Sequence, residues 1–212
     1  MEDIQQYNFI VKSNIHDYEV QFIDDVKTTL SRTMKEGDFI IIDNKVKLLY
    51  QDWLEESLIN FNYIGIDASE QQKSYQQVEP IINELIKSGF RKNHRLIAIG
   101  GGITQDVTAF IASILYRGVQ WLFLPTTLLA QADSCIGSKT SINFGQYKNQ
   151  VGGFYPPYKI YIDPKFLDSL PFKELQSGLG EMGHYFVVSS ESDFERYKRD
   201  YSKSLTDKKV LG

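Results

Sequence analysis

Between Arg95 and Asp106 the chain reads RLIAIGGGITQD, and this stretch constrains the fold more than any other. Leu96, Ile97, Ala98 and Ile99 form an apolar run without a breaker, the pattern of a strand buried on both faces. After Gly100, Gly101 and Gly102, the apolar residues Val107, Phe110, Ile111, Ile114 and Leu115 recur at helical spacing, which predicts a helix reaching Arg117. Strand, glycine turn and helix therefore follow one another without a linker. Two readings fit such a turn. One is a tight connection that needs positive φ. The other is a phosphate cradle, where bare backbone lets a ligand approach and the N–H groups and dipole of the helix favour an anion.

The flanking sequence repeats the strand–helix alternation. A β-hairpin is expected first, with Phe9 and Val11 before a polar turn at 12–14 and Tyr18, Val20 and Phe22 alternating after it. A short helix from about Asp24 to Met34 precedes a buried strand, Phe39 to Ile42, which ends at Asp43. Val46 to Leu58 carries one helical stripe, Asn62 to Ile66 is a strand, and Ser74 to Lys87 is a helix that Pro80 is expected to kink. A strand through Trp121 to Leu124 follows the glycine turn and its helix. This alternation predicts an α/β fold, a doubly wound parallel sheet with ligands at the carboxyl ends of its strands, where Asp43 and the glycines fall.

Past Pro125 the segment SKTSINFGQYKNQVGGFYPPYK is rich in Gly, Lys, Asn and Tyr and reads as a long functional loop outside the core. Tyr158 to Ile162 is a last strand, Asp163-Pro164 starts a short helix, and Leu170-Pro171 marks a boundary. The division is thus residues 1–170 for the α/β domain and 171–212 for the first helices of a helical domain. From Asp207 to Gly212 no terminating element is evident, so the chain reads as cut inside that second region.

Charge and cysteine content limit the partners. With 23 Lys and Arg against 27 Asp and Glu, a net charge of −4, nothing recommends nucleic acid. The acidic, polar start MEDIQQYNF is no secretory leader and no apolar run reaches membrane length, so no membrane partner is expected. A single cysteine, Cys135, excludes an internal disulfide framework and fits a reducing compartment; the expected location is cytoplasmic.

Three groups of residues carry chemistry. The usual dinucleotide fingerprint wants a third glycine, where Gln105 stands, and an acid about twenty positions on. No Asp or Glu occurs between Asp106 and Asp133, so a dinucleotide's adenosine half would have to be read upstream, by Asp43 and Glu70. Asp133, Lys139, Lys148 and Asn149 lie in a segment punctuated by Gly137, Gly145, Gly152 and Gly153. Two lysines with an asparagine can hold a phosphate or carboxylate, though a solvated basic loop has the same composition. Glu181 and His184 stand three apart and share a helix face, as a metal-binding or acid/base pair would, or as an ordinary helix face.

GGGITQDVTAFIASILYRG, FLPTTLLAQADSCIGSKTSIN, KNQVGGFYPP, IDPKFLDSLP and GLGEMGHY, in this order, resemble the central signature of the 3-dehydroquinate synthase family of sugar-phosphate cyclases, over about Asp43 to Tyr185. The resemblance implies a Rossmann-like NAD-binding domain followed by a helical domain, with zinc in the cleft between them and a chain considerably longer than this one. It implies NAD contacts at Gly101, Gly102, Asp106, Thr126, Thr127 and Lys148, with Asp43, Glu70 and Lys73 on the adenosine side. Asp133, Lys139, Asn149 and His184 correspond to catalytic positions. Lys139 and Asn149 also bind substrate, together with Arg117, which in the family reaches the substrate phosphate of a neighbouring subunit and so implies a homodimer. Glu181 matches the zinc glutamate.

The family reaction is NAD-dependent elimination of phosphate from a heptulosonate 7-phosphate, followed by carbocycle formation, in aromatic amino acid biosynthesis. NAD supplies the hydride chemistry while the protein supplies position and charge. Three departures matter. Gln105 replaces a glycine next to the expected NAD site. His184 replaces a substrate-binding lysine. The two downstream zinc histidines are absent, since the chain has only His16, His94 and His184, so the metal site stays incomplete and this chain alone is expected to be inactive. A related cyclase with another substrate, a polyol dehydrogenase of the same superfamily (against which Lys139, Lys148 and Asn149 speak) and a non-catalytic NAD-binding paralogue are the rival readings.

Overall fold

The computed structural model describes residues 4–205 and Asp207. In chain order the strands are β1 (Phe9–Val11), β2 (Tyr18–Phe22), β3 (Phe39–Asp43), β4 (Asn62–Ile66), β5 (Arg95–Gly100), β6 (Gln120–Pro125), β7 (Ile142–Phe144), β8 (Tyr147–Val151) and β9 (Lys159–Ile162). The helices are α1 (Val26–Thr33), α2 (Asn44–Leu49), α3 (Gln51–Leu58), α4 (Tyr75–Lys87), α5 (Gly102–Ile114), α6 (Leu128–Ala132), α7 (Phe172–Ser189) and α8 (Glu191–Ser204).

Seven strands form one sheet in the order β1-β2-β9-β6-β5-β3-β4, in which only β1 runs antiparallel to its neighbour. The doubly wound expectation holds, and the reason is visible in β3. All five of its residues are buried, with Phe39 and Ile41 in one apolar layer and Ile40 and Ile42 in the other. The first layer is completed by α4 and α5 through Val78, Ile81, Leu85, Val107 and Ile111. The second is completed by α1, α2 and α3 through Val26, Leu30, Val46, Leu54 and Leu58. Adjacent strands β3 and β5 thus send their following helices to opposite faces, which opens a crevice at their carboxyl ends.

The boundaries depart from the sequence reading in four places. Val46 to Leu58 is two helices, because Tyr50 (φ −118°, ψ 21°) breaks the turn and its hydroxyl bonds Ser169 at 2.7 Å. The helix after the glycines ends at Ile114, since Tyr116 and Arg117 adopt left-handed φ of 50° and 62° in a 3₁₀ turn. Pro80 sits on an exposed face of a continuous α4. The supposed loop, 138–159, holds the β7–β8 hairpin and buries Ile142, and the stretch before it holds α6 and a 3₁₀ turn at Ser134–Ile136, which bury Leu128, Ala130 and Cys135. A loop-like composition hid these anchors because each contacts the sheet or α7 rather than a periodic neighbour.

Helix α7 packs on α6 through Leu128, Leu175 and Leu179, joined by Leu167 of the 3₁₀ turn Pro164–Ser169, and α8 packs on α7 with Tyr197 and Tyr201 at the rim of this cluster. Contact is close enough that a Cβ on Gly178 would come within 2.7 Å of Leu128. Among the described residues no helix is long and apolar enough to cross a membrane. Apart from Asp207, the chain end read above as lacking a terminating element lies outside the described residues.

Candidate active site

The crevice at the carboxyl ends of β3, β5 and β6 has a volume of about 470 Å³ and is lined by Asp43, Lys73, Gly101, Gly102, Asp106, Thr126 and Thr127. Asp43 ends β3, the glycines follow β5 and the two threonines follow β6, while Asp106 projects from the second turn of α5 and Lys73 from the connection between β4 and α4. Asp43 closes β3 and caps α2, accepting the Lys45 N–H at 2.9 Å; burial raises its carboxyl above the usual range. Thr127 caps α6 through the Ala130 N–H at 3.2 Å. Lys73 meets Asp106 at 2.5 Å with its side chain only 9% exposed. Burial pushes Asp106 up, and the Lys73 ammonium pulls it back.

The glycine turn works through space and not through φ. Gly100, Gly101 and Gly102 are all outside the left-handed region. Instead, a Cβ on Gly100 would fall 2.4 Å from Thr104 Oγ1 and one on Gly101 would fall 3.0 Å from Thr127, whereas beside Gly102 only Ser134 Oγ comes near, at 3.8 Å. The first helical turn is thus held tight against β5 and β6, while the backbone at Gly102 faces open space at the start of α5. A group with negative charge fits there, where N–H groups lack intrahelical partners.

A second group of residues flanks the crevice. Asn143 on β7 is buried and bonds Glu70 Oε1 through Nδ2 at 2.7 Å; its Oδ1 accepts the Asn149 N–H at 2.9 Å, and its own N–H donates to the Lys73 carbonyl at 2.8 Å. Lys148 and Asn149 are exposed on β8, with Lys148 Nζ 3.9 Å from Glu70. Lys139 is exposed.

On α7, Tyr185 donates a hydrogen bond to Asp133 Oδ1, which raises the phenol to about 12. Glu181 is half-buried on the same helix and His184 exposed. Among the described residues no three His, Cys, Asp or Glu side chains cluster as a metal site requires. His16 stacks on Tyr158 at 4.1 Å and His94 packs edge-on against Phe90, neither of them lining the crevice. Arg117 lies exposed in the turn that leads into β6, at the opposite end of the sheet from the crevice; Lys92 bonds its carbonyl at 3.5 Å.

The family described as 3-dehydroquinate synthase N-terminal matches residues 63–177. The chain belongs to the 3-dehydroquinate synthase family. It is 36% identical over 207 residues to the 3-dehydroquinate synthase of Streptococcus pyogenes serotype M3, covering 95% of this chain and 57% of that protein. To the Rhodospirillum rubrum 3-dehydroquinate synthase it is 39% identical over 161 residues, covering 74% of this chain and 42% of the other. The match therefore spans about half the length of these relatives. Among solved structures, 2-epi-5-epi-valiolone synthase from Streptomyces hygroscopicus, with NAD+ and Zn2+ bound, superimposes with a TM-score of 0.85 at 26% identity, covering 95% of this chain and 58% of that one. A 2-deoxy-scyllo-inosose synthase shares the fold, with a TM-score of 0.76 at 21% identity over 87% of this chain and 53% of the other.

Within this family member, Gln105 does not turn towards the crevice. It is buried, its Nε2 donates to the Ser134 carbonyl and its Oε1 accepts from Ser134 Oγ, both at 2.7 Å. The residue that stands in place of the family's glycine thus forms a clamp between α5 and the 3₁₀ turn at Ser134–Ile136. Ser134, Asn143 and Tyr185 escaped the sequence reading. For Asn143 a signal existed, a lone amide between the apolar residues Ile142 and Phe144.

Proposed function

We propose that the chain forms the cofactor-binding part of a 3-dehydroquinate synthase-like cyclase, a carbon–oxygen lyase acting on a heptulosonate 7-phosphate in aromatic amino acid biosynthesis. The observation that carries this reading is the convergence of Asp43, Lys73, Gly101, Gly102, Asp106, Thr126 and Thr127 on one crevice at the strand ends, in a chain of this family. NAD fits the crevice: the open backbone at Gly102 and the start of α5 suit its pyrophosphate, and Asp43 offers a carboxylate to a ribose hydroxyl. When bound, NAD would supply the redox chemistry, a hydride acceptor for the carbon that bears a secondary hydroxyl and later a hydride donor to the same carbon.

The chain's own groups bind and orient. Lys139 and Lys148 neutralise phosphate and carboxylate, Asn149 hydrogen-bonds them, and Arg117, remote from its own crevice, serves the partner's site in a homodimer. Asp133, held by Tyr185, orients substrate hydroxyls. His184 is the acid/base group on the α7 face. Glu181 alone does not make a metal site among the described residues. Residues 1–170 are read as the NAD domain and α7–α8 as the start of a helical one. The cytoplasm is the proposed location, consistent with the buried Cys135 thiol, which burial pushes up to about 12.

A related cyclase acting on another sugar phosphate is the second reading, favoured by His184 standing where the family has a lysine. Calorimetric titration tests the main one: the chain is expected to bind NAD and to bind zinc weakly. No NAD binding overturns it.

A further inference from the structure

Asn143 holds three segments of the site at once. Its backbone N–H donates to the Lys73 carbonyl at 2.8 Å, its Nδ2 donates to Glu70 Oε1 at 2.7 Å, and its Oδ1 accepts the Asn149 N–H at 2.9 Å. A primary amide is suited to this, because it presents donor and acceptor together, and burial of the residue removes competing water. The local backbone is arranged around it. The β7–β8 register slips between Ile142 and Phe144, so the hairpin's own ladder is interrupted at Asn143. Across from it, Asn149 adopts a left-handed φ of 56°, which aims its N–H at the Asn143 side chain instead of a ladder carbonyl. A two-stranded hairpin is marginal alone, so the order of β8 depends on this tether.

The two ends of the tether differ in kind. At one end stand Lys73, which lines the crevice and pairs with Asp106, and Glu70 beside it. At the other stand the exposed Lys148 and Asn149. We propose that Asn143 is a positioning residue that couples the two, so that a dinucleotide in the crevice tightens the β8 strand and its lysine and asparagine. This rests on the NAD reading above.

Amide hydrogen exchange across 147–151 and calorimetric NAD titration test the coupling. In the unaltered chain, saturating NAD is expected to slow exchange at Asn149 several-fold. Asn143→Asp keeps the acceptor for the Asn149 N–H but sets a carboxylate against Glu70. It is expected to retain protection at Asn149 without NAD, to weaken NAD binding about tenfold, and to lose the NAD-induced slowing. Asn143→Ala is expected to lose protection at Asn149 as well. Should the alanine variant fail to fold, exchange in the unaltered chain with and without NAD decides alone. NAD binding with no change at 147–151, or NAD affinity in Asn143→Asp equal to the unaltered chain, overturns the coupling and leaves the NAD reading standing. No NAD binding by the unaltered chain overturns both.

Discussion

In the crevice Lys73 is 9% exposed and meets Asp106 at 2.5 Å, whereas on α7 His184 is exposed, Tyr185 is exposed with one hydrogen bond to Asp133, and Glu181 has no ion pair among the described residues. The crevice side is built on backbone termini that the sheet itself holds, with glycines admitting close neighbours and helix starts supplying N–H groups. The α7 side is a helix face whose inner residues, Leu175, Gly178 and Leu179, are anchored while its chemistry-bearing residues project outward. The difference teaches that a site of this kind is preorganised where the fold needs its residues, and only presented where the fold does not.

Substitutions on the two sides should separate accordingly. The largest effect is expected for Asp106→Ala, which leaves the Lys73 ammonium buried without its partner; denaturant unfolding should report a loss of about 3–5 kcal/mol. A loss below about 1 kcal/mol would mean that the crevice is no more built in than the α7 face.

Asp43→Asn should split binding from stability. Burial makes the folded chain hold the Asp43 proton more tightly than the unfolded chain, so ionisation of this group opposes folding above its folded-state value and that penalty fades as pH falls through it. The asparagine keeps the cap on α2 and cannot ionise. At neutral pH its melting temperature should equal or exceed the parent's, the difference shrinking in acid, while NAD affinity falls about tenfold. A lower melting temperature at neutral pH would show that the carboxylate serves the fold.

On the other side, Glu181→Gln and His184→Ala should each change stability by less than about 0.5 kcal/mol in the same unfolding measurement. A larger loss would mean that the α7 face carries structure as well as chemistry.

The strand–glycine–helix unit, the parallel sheet and the strand-end position of Asp43 were legible because each rests on local periodicity. So was the family, through its segments between Asp43 and Tyr185. The Val46–Leu58 break was not, since it depends on Tyr50 reaching Ser169 far along the chain. Nor was the β7–β8 hairpin, whose polar composition reads as a loop until Ile142 is seen buried in the core.

The glycine triplet shows the division most clearly. From sequence alone, Gly100 to Gly102 determined that a strand turns directly into a helix and that the turn lies at the carboxyl edge of the sheet. Why glycine suits the turn was decided only in three dimensions: Thr104 crowds a Cβ at Gly100, Thr127 leaves little room for one at Gly101, and no residue of the triplet takes a positive φ. The role of Asn143 was decided by the tertiary structure, whatever its place between Ile142 and Phe144 hinted. Its partners at 70, 73 and 149 are brought together by the packing of distant segments, and no local spacing encodes that meeting.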